Sequence, residues 1–240
     1  MTSIDSAAAL LHAASRISVL SGAGLSKASG IPTYRDADGL WRDENAVKFS
    51  HVDDLKRDPE GFHNFWAARM AVLSEARPNP GHRALVALQM RRPGTALITQ
   101  NVDGLLAEAG AQEVFELHGN LRRWRCDSCG NREGPWLSQL CPRCGSQARP
   151  DVVVFGEMLN EELLTRTQEV AAHSDLFLVV GTSAAVYPAA DLPTIAATNG
   201  AKIITLNMET IDVDDVAAVV LRGPAEELLP DLIQAARLRP

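Results

Sequence analysis

Four cysteines stand in two pairs, Cys126-x2-Cys129 and Cys141-x2-Cys144, with eleven residues between the pairs. Each Cys-x2-Cys turn presents two thiolates on one side of a tight loop. Two such knuckles make a tetrahedral four-sulfur shell, which suits zinc. Gly130 and Gly145 directly follow each pair, where a knuckle needs positive φ. Four protein ligands close the shell, so the ion expected here is one structural zinc and not a Lewis acid at a reaction. A second chemical stretch lies near the N-terminus, where Ile17-Ser18-Val19-Leu20 runs into Ser21-Gly22-Ala23-Gly24-Leu25-Ser26. A strand followed by Gly-x-Gly and a helix start can cradle a phosphate on backbone N–H groups. The third glycine of the ordinary dinucleotide fingerprint is missing, with Ser26 and Lys27 in its place, and no acidic residue closes a second strand about 20 residues on. That disfavours a plain dehydrogenase. On this stretch alone, a tight turn packed with small residues is the alternative.

These residues need elements to hold them. Short apolar runs fall at 17–20, 96–99, 176–180, 203–206 and 216–221, and helical patterns at 80–90, 161–172, 188–199 and 224–237 separate them. A further helix is expected over 7–14. Strands alternating with helices predict an α/β protein with a Rossmann-like, doubly wound parallel sheet. Two stretches break the alternation. Residues 42–77 are polar and then helical, with Asp58-Pro59-Glu60 as a helix start, and residues 124–149 carry the cysteines. The expected division is a discontinuous sheet domain of 1–41, 78–123 and 150–240. A smaller inserted domain combines the helical module 42–77 with the zinc ribbon 124–149.

The chain has 240 residues, 46% of them hydrophobic and 22% charged, with a net charge of −7. This is a globular composition with room for a large core. The acidic balance disfavours nucleic acid, and the local run Arg122, Arg123 and Arg125 is read as solvated. No apolar stretch approaches the ~20 residues of a membrane span. The first residues lack a basic export segment and the thiols are clustered, so a reducing cytoplasm is expected.

The glycine loop continues as Leu25-Ser26-Lys27-Ala28-Ser29-Gly30-Ile31-Pro32-Thr33-Tyr34-Arg35, then Asp38-Gly39-Leu40-Trp41. It closely resembles the NAD-binding loop of the sirtuin family. Further blocks match in order: Thr99-Gln100-Asn101-Val102-Asp103-Gly104-Leu105, Leu117-His118-Gly119-Asn120-Leu121, the two knuckles, Arg149-Pro150-Asp151-Val152-Val153-Val154-Phe155-Gly156-Glu157, Gly181-Thr182-Ser183 with Val186-Tyr187-Pro188, and Leu206-Asn207-Met208-Glu209. The resemblance spans nearly the whole chain and is nearest to bacterial members related to the desuccinylase and demalonylase class.

The resemblance implies an NAD-dependent protein-lysine deacylase in which NAD is a co-substrate and acylated-lysine proteins are the partners. The acyl oxygen attacks the nicotinamide ribose, nicotinamide leaves, and the acyl group ends on ADP-ribose. His118 is then the general base, acting on a ribose hydroxyl after the first step. Asn101 and Asp103 are the nicotinamide-pocket pair, with Asn101 grouped with the catalytic residues. Gln100 and Val102 lie with them on the nucleotide side. Gly22, Ala23, Gly24, Ser26, Ile31, Pro32, Thr33, Tyr34, Arg35 and Trp41 are expected around the nucleotide. So are Gly181, Thr182, Ser183, Asn207, Met208, Glu209 and Ala225, with Glu209 toward the adenosine ribose. Val153, Phe155, Gly156 and Glu157 are expected to line an acyl-lysine tunnel and pair with an extended peptide, with Val186 opposite.

Relatives that remove acidic acyl groups carry a Tyr and, three residues on, an Arg. The matching positions are Trp66 and Arg69, which share a helical face. Deacetylation is therefore expected first, with removal of acidic adducts second. Leu25 and Leu106 also depart from the family pattern, as packing changes. The alternatives are a mono-ADP-ribosyltransferase and a non-catalytic zinc-ribbon protein that binds NAD or ADP-ribose. A monomer is expected.

Overall fold

In a computed structural model, which describes residues 2–33, 39, 42–132 and 140–238, the apolar runs become strands whose side chains alternate between two cores. The parallel sheet contains β1 (Ile17–Ser21), β2 (Ala96–Thr99), β3 (Val114–Glu116), β6 (Leu176–Val180), β7 (Lys202–Asn207) and β8 (Val219–Arg222). Its order is β3-β2-β1-β6-β7-β8. The chain winds one way from β1 and the other way from β6, so the topological switch lies between these two strands. Ile17, Val19, Leu176 and Leu178 face one side, where α1 (Ser3–Ala13), α5 (Pro80–Arg91) and α9 (Ala225–Ala235) cover them. Leu20, Phe177 and Val179 face the other, under α7 (Glu161–Ala172) and α8 (Leu192–Thr198). This is the doubly wound layering that continuous apolar strands require.

The second unit forms where the alternation breaks. Strand β4 (Gly119–Arg125) pairs antiparallel with β5 (Arg149–Val152) through Gly119↔Val152 and Arg125↔Arg149, with an irregularity between Asn120 and Trp124. Residues 42–77 give α2 (Glu44–Lys48), α3 (Val52–Arg57) and α4 (Pro59–Glu75). Asp58 caps α4 as expected, accepting from the Gly61 N–H at 2.9 Å with Pro59 in the first turn. Phe62, Trp66 and Leu73 of α4 pack with Phe49, Leu121, Val152 and Val154. Trp124, Cys126, Cys141 and Ala148 make an adjoining cluster against Met70. Module and ribbon therefore share apolar surface.

Three local expectations shift. The helix after the glycine loop is a 3-10 helix, Ala23–Ser29. The run at 216–221 pairs only from Val219, because residues 212–216 coil into a 3-10 turn tied by Asp214, which accepts from the Ile211 N–H at 2.9 Å and the Thr205 hydroxyl at 2.5 Å. The helix expected from 188 begins at Leu192, after a 3-10 turn over Ala189–Asp191. Tyr34, Arg35 and Trp41 of the expected nucleotide loop lie outside the described residues.

Candidate active site

A cavity of about 1450 Å³ opens at the C-terminal ends of β1, β6 and β7, where open α/β sheets bind ligands. It exceeds the ~300–1,000 Å³ of an ordinary small-molecule pocket, so it has room for two reactants. Gly22, Ala23 and Gly24 enter it from β1, Gly181, Thr182 and Ser183 from β6, and Asn207, Met208 and Glu209 from β7. Ala225 closes one end.

The glycines allow two loops to meet backbone to backbone. The Gly24 N–H donates to the Gly181 carbonyl at 2.8 Å, and the Gly22 N–H to the Val180 carbonyl at 3.0 Å. A Cβ on Gly22 would lie 2.5 Å from Thr182 Cβ, and one on Gly24 would lie 2.8 Å from Gly181 Cα. The side-chain-free loop thus locks onto the end of β6 while its outer surface faces the cavity.

Beneath that loop lies a saturated polar network. The Asn79 N–H donates to His82 Nδ1 at 3.3 Å, so Nε2 carries the ring proton and donates to Ser26 Oγ at 3.3 Å. Asn101 Nδ2 also donates to Ser26 Oγ, at 3.2 Å, and to the Gly22 carbonyl, at 2.9 Å. The Ser26 hydroxyl then donates to Asp103 Oδ2 at 2.7 Å, and the Leu105 N–H donates to Asp103 Oδ1 at 2.8 Å. Ser26 thereby uses both lone pairs and its one proton. Burial pushes His82 down to about 4 and raises the Asp103 carboxyl above its ordinary value. Ser26 and Asp103 were expected to touch the nucleotide; both are buried under the wall and hold Asn101, which does line the cavity. His82 had no motif to single it out. A buried histidine 56 positions from its serine partner becomes legible only in three dimensions.

His118 lines the cavity at the end of β3, beside Gln100 and Val102. Its Nδ1 sits 3.0 Å from the Gln100 carbonyl. A carbonyl only accepts, so Nδ1 carries the proton and Nε2 keeps the lone pair. Burial lowers the imidazole pKa, offset in part by that carbonyl, so the ring is neutral near pH 7. Gln100 is fixed in turn, its Nε2 donating to Thr182 Oγ1 at 2.8 Å.

Val153, Phe155, Gly156, Glu157 and Val186 also line this cavity, and with Trp66 and Leu164 they make its apolar lobe. However, the N–H groups of Val153, Val154 and Phe155 are already used, on the His118 carbonyl, Glu157 Oε2 and the Ser50 carbonyl. Trp66 also lines this lobe, with its indole N–H on the Phe49 carbonyl at 3.1 Å. Arg69 does not line it; its guanidinium lies 5.3 Å above the Phe65 ring. The expected Trp66–Arg69 pair therefore does not converge on the cavity: Trp66 lines it and Arg69 does not. Thr33 reaches the lining, while Ile31 packs against the Phe49–Trp66 cluster and Pro32 lies off the lining. Sequence reasoning passed over Met158, Leu159 and Leu164, which complete the apolar lobe.

The sulfur atoms of Cys126, Cys129, Cys141 and Cys144 all lie within 4.8 Å of one another. Cys126–Cys144 and Cys129–Cys141 are 3.6 and 3.7 Å apart. Zn–S bonds of about 2.3 Å in a tetrahedron place sulfurs about 3.8 Å apart, so the cluster fits one zinc. Gly130 and Gly145 have φ of +71° and +73°, as the knuckles require. The other cavity wall suits a nucleotide: Asn207 Nδ2 is buried at the end of β7 with no partner among the described residues, and buried donors need one. The basic run near the ribbon is paired: Arg122 with Glu108, Arg123 with Glu116, Arg125 with Asp127 and Glu157.

Residues 22–188 match the Sir2 family. An NAD-dependent protein deacylase of Thermus thermophilus is 46% identical over 235 residues, covering 95% of this chain and 92% of that protein. One from Pyrococcus furiosus is 44% identical over 239 residues, covering 95% and 96%. A Sir2 homologue solved in complex with NAD superposes with a TM-score of 0.90 at 38% identity, covering 97% of this chain and 93% of that one. None of the described helices is long and apolar enough to cross a membrane.

Proposed function

The chain belongs to the Sir2 family and is an NAD-dependent protein deacylase, and from that premise we propose how its residues divide the work. Gly22–Gly24, Gly181–Ser183 and Asn207–Glu209 hold the nucleotide, with Asn207 Nδ2 supplying a donor that the described residues leave unused. Bound NAD supplies an electrophilic ribose carbon, nicotinamide as the leaving group and ADP-ribose as the acyl acceptor. Asn101, pinned through Ser26 to Asp103 and His82, orients the nicotinamide end. His118 Nε2 takes a ribose hydroxyl proton, since Nδ1 is committed to Gln100. The observation that carries this reading is the placement of that imidazole: with Nδ1 held on the Gln100 carbonyl, it faces the same cavity as the glycine loop and the apolar lobe.

The lobe formed by Trp66, Val153, Val154, Phe155 and Leu164 takes the acyl-lysine, whose charge acylation has removed. Because the N–H groups of Val153, Val154, Phe155 and Glu157 are spent, donation from this segment to an extended peptide falls to the Gly156 N–H. Short neutral acyl groups fit this lobe best, since the Trp66 N–H is engaged and Arg69 lies outside it. We keep the division into a sheet domain of 1–41, 78–123 and 150–240 and a small domain of 42–77 and 124–149, with the paired strands β4 and β5 crossing the boundary between them and zinc on the four cysteines. We place the protein in a reducing compartment, because its four clustered cysteines form no disulfide. Mass spectrometry of acetyl-, propionyl- and succinyl-lysine peptides incubated with NAD tests the assignment. The acyl group should appear on ADP-ribose, fastest from acetyl or propionyl peptide. ADP-ribose attached to protein instead, or succinyl as the best substrate, would refute it.

A further inference from the structure

The cysteine ribbon and the substrate lobe are joined by a chain of charged hydrogen bonds. Asp127 sits inside the first knuckle, between Cys126 and Cys129. Its Oδ2 accepts from Arg149 Nε at 2.7 Å, and its Oδ1 from Arg125 Nε at 3.0 Å. Both arginines, one on each strand of the stem, then donate to Glu157 Oε1, Arg125 at 3.0 Å. The other Glu157 oxygen, Oε2, accepts from the Val154 N–H at 3.0 Å. Arg149 also donates to the Val152 carbonyl at 3.2 Å. The links at the lobe end are buried, the Arg149 side chain being 4% exposed and that of Glu157 15%. Asp151 stands 3.7–3.8 Å from Arg123, Arg125 and Arg132, so Arg125 has a second carboxylate, whereas Arg149 is committed to Asp127 and Glu157.

We propose that Asp127, Arg149 and Glu157 are positioning residues that carry the ribbon's geometry into the acyl-lysine lobe, holding the 153–157 backbone at the spacing substrate needs. This rests on the assignment of that segment to the acyl-peptide. Glu157 then acts through the Val154 N–H, although it was first expected to meet substrate itself. Small displacements of a positioning group are costly to reacting partners. The nucleotide wall, built from β1, β6 and β7, shares none of these links.

The test uses the zinc-loaded full chain and its Asp127→Ala, Glu157→Gln and doubly substituted forms. Zinc content is measured by metal analysis, and binding of a fluorescent acetyl-lysine peptide and of NAD is titrated separately. Each single change should weaken the peptide about tenfold and leave NAD within about twofold, with one zinc retained. The double variant should be weaker than either single by less than about twofold, because both act on one chain. Peptide affinity within about twofold of the parent in Glu157→Gln would overturn the proposal. So would equal losses for peptide and NAD, or fully additive losses in the double variant. Should Asp127→Ala lose its zinc, Glu157→Gln alone decides. A parent protein that binds no acetyl-lysine peptide would instead refute the assignment of the lobe.

Discussion

The two walls of the cavity are built on different physics. The nucleotide wall is backbone packed on backbone: Gly22 and Gly24 press on Gly181, and the network behind them is buried and closed on itself. The acyl wall is an extended segment held at Phe155 by α3 and at Glu157 by two arginines rooted in the ribbon. The first tolerates no added atom, and the second, on the proposal above, depends on charge and on the geometry of the ribbon. The comparison teaches that one cavity can hold one reactant by shape and the other by a transmitted constraint. Perturbations should therefore separate the two affinities.

Removing zinc gives the largest expected effect. A structural zinc contributes on the order of 10 kcal/mol to its own fold, so a chelator should unfold the ribbon and abolish acetyl-peptide binding. The NAD titration should remain within about threefold. Loss of both affinities together would erase the contrast between the walls.

Acid comes next, and it strikes the nucleotide wall. His82 titrates at about 4 when folded and near its ordinary 6.5 when unfolded. The unfolded chain therefore binds a proton first as pH falls. The contribution of His82 to stability is level above about 6.5 and declines from there to about pH 4, by about 3 kcal/mol. Burial lowers His63 and His118 as well, which adds loss in the same direction, while the raised Asp103 carboxyl takes its proton first in the folded state and opposes it. Denaturant melts across this range should show the slope, and His82→Asn should flatten it. An unchanged slope in that variant would remove His82 from the network's role.

Gly24→Ala should cost about 1–3 kcal/mol, because its Cβ meets Gly181 backbone that has nowhere to move. Thermal melting with and without NAD should show both a lower midpoint and a smaller NAD-induced rise. The smallest effect is Trp66→Tyr. It frees the Phe49 carbonyl from its indole partner but leaves Arg69 on Phe65, so the ratio of succinyl to acetyl turnover should shift by no more than about threefold. A larger swing would mean that Arg69 reaches the lobe.

What could be read in the chain beforehand follows range in sequence. The knuckles, the glycine loop and the cap at Asp58 are local patterns, and each appears with its expected partner or φ value. The strands read well because residues buried on both faces leave continuous apolar runs. Residues 212–216 escaped because Asp214 coils an apolar-flanked segment away from the sheet. His82 and the Asp127–Arg149–Glu157 chain escaped for another reason. Their meaning comes from the pairing of β4 with β5 and from the stacking of α5 beneath the loop, which no spacing along the chain discloses. Arg69 lies off the lining although it shares a helical face with Trp66, because a shared face does not fix which way a long side chain turns.

The role of His118 as a base that acts after nicotinamide departs is tested most directly by comparing two rates in His118→Ala. These are exchange of labelled nicotinamide into NAD in the presence of acetyl-peptide, and complete deacetylation. Deacetylation should fall about 10²–10⁴-fold while exchange stays within about tenfold of the parent. An equal fall in both would mean that the imidazole serves the first bond cleavage, or only the shape of the cavity, and would contradict the mechanism proposed above.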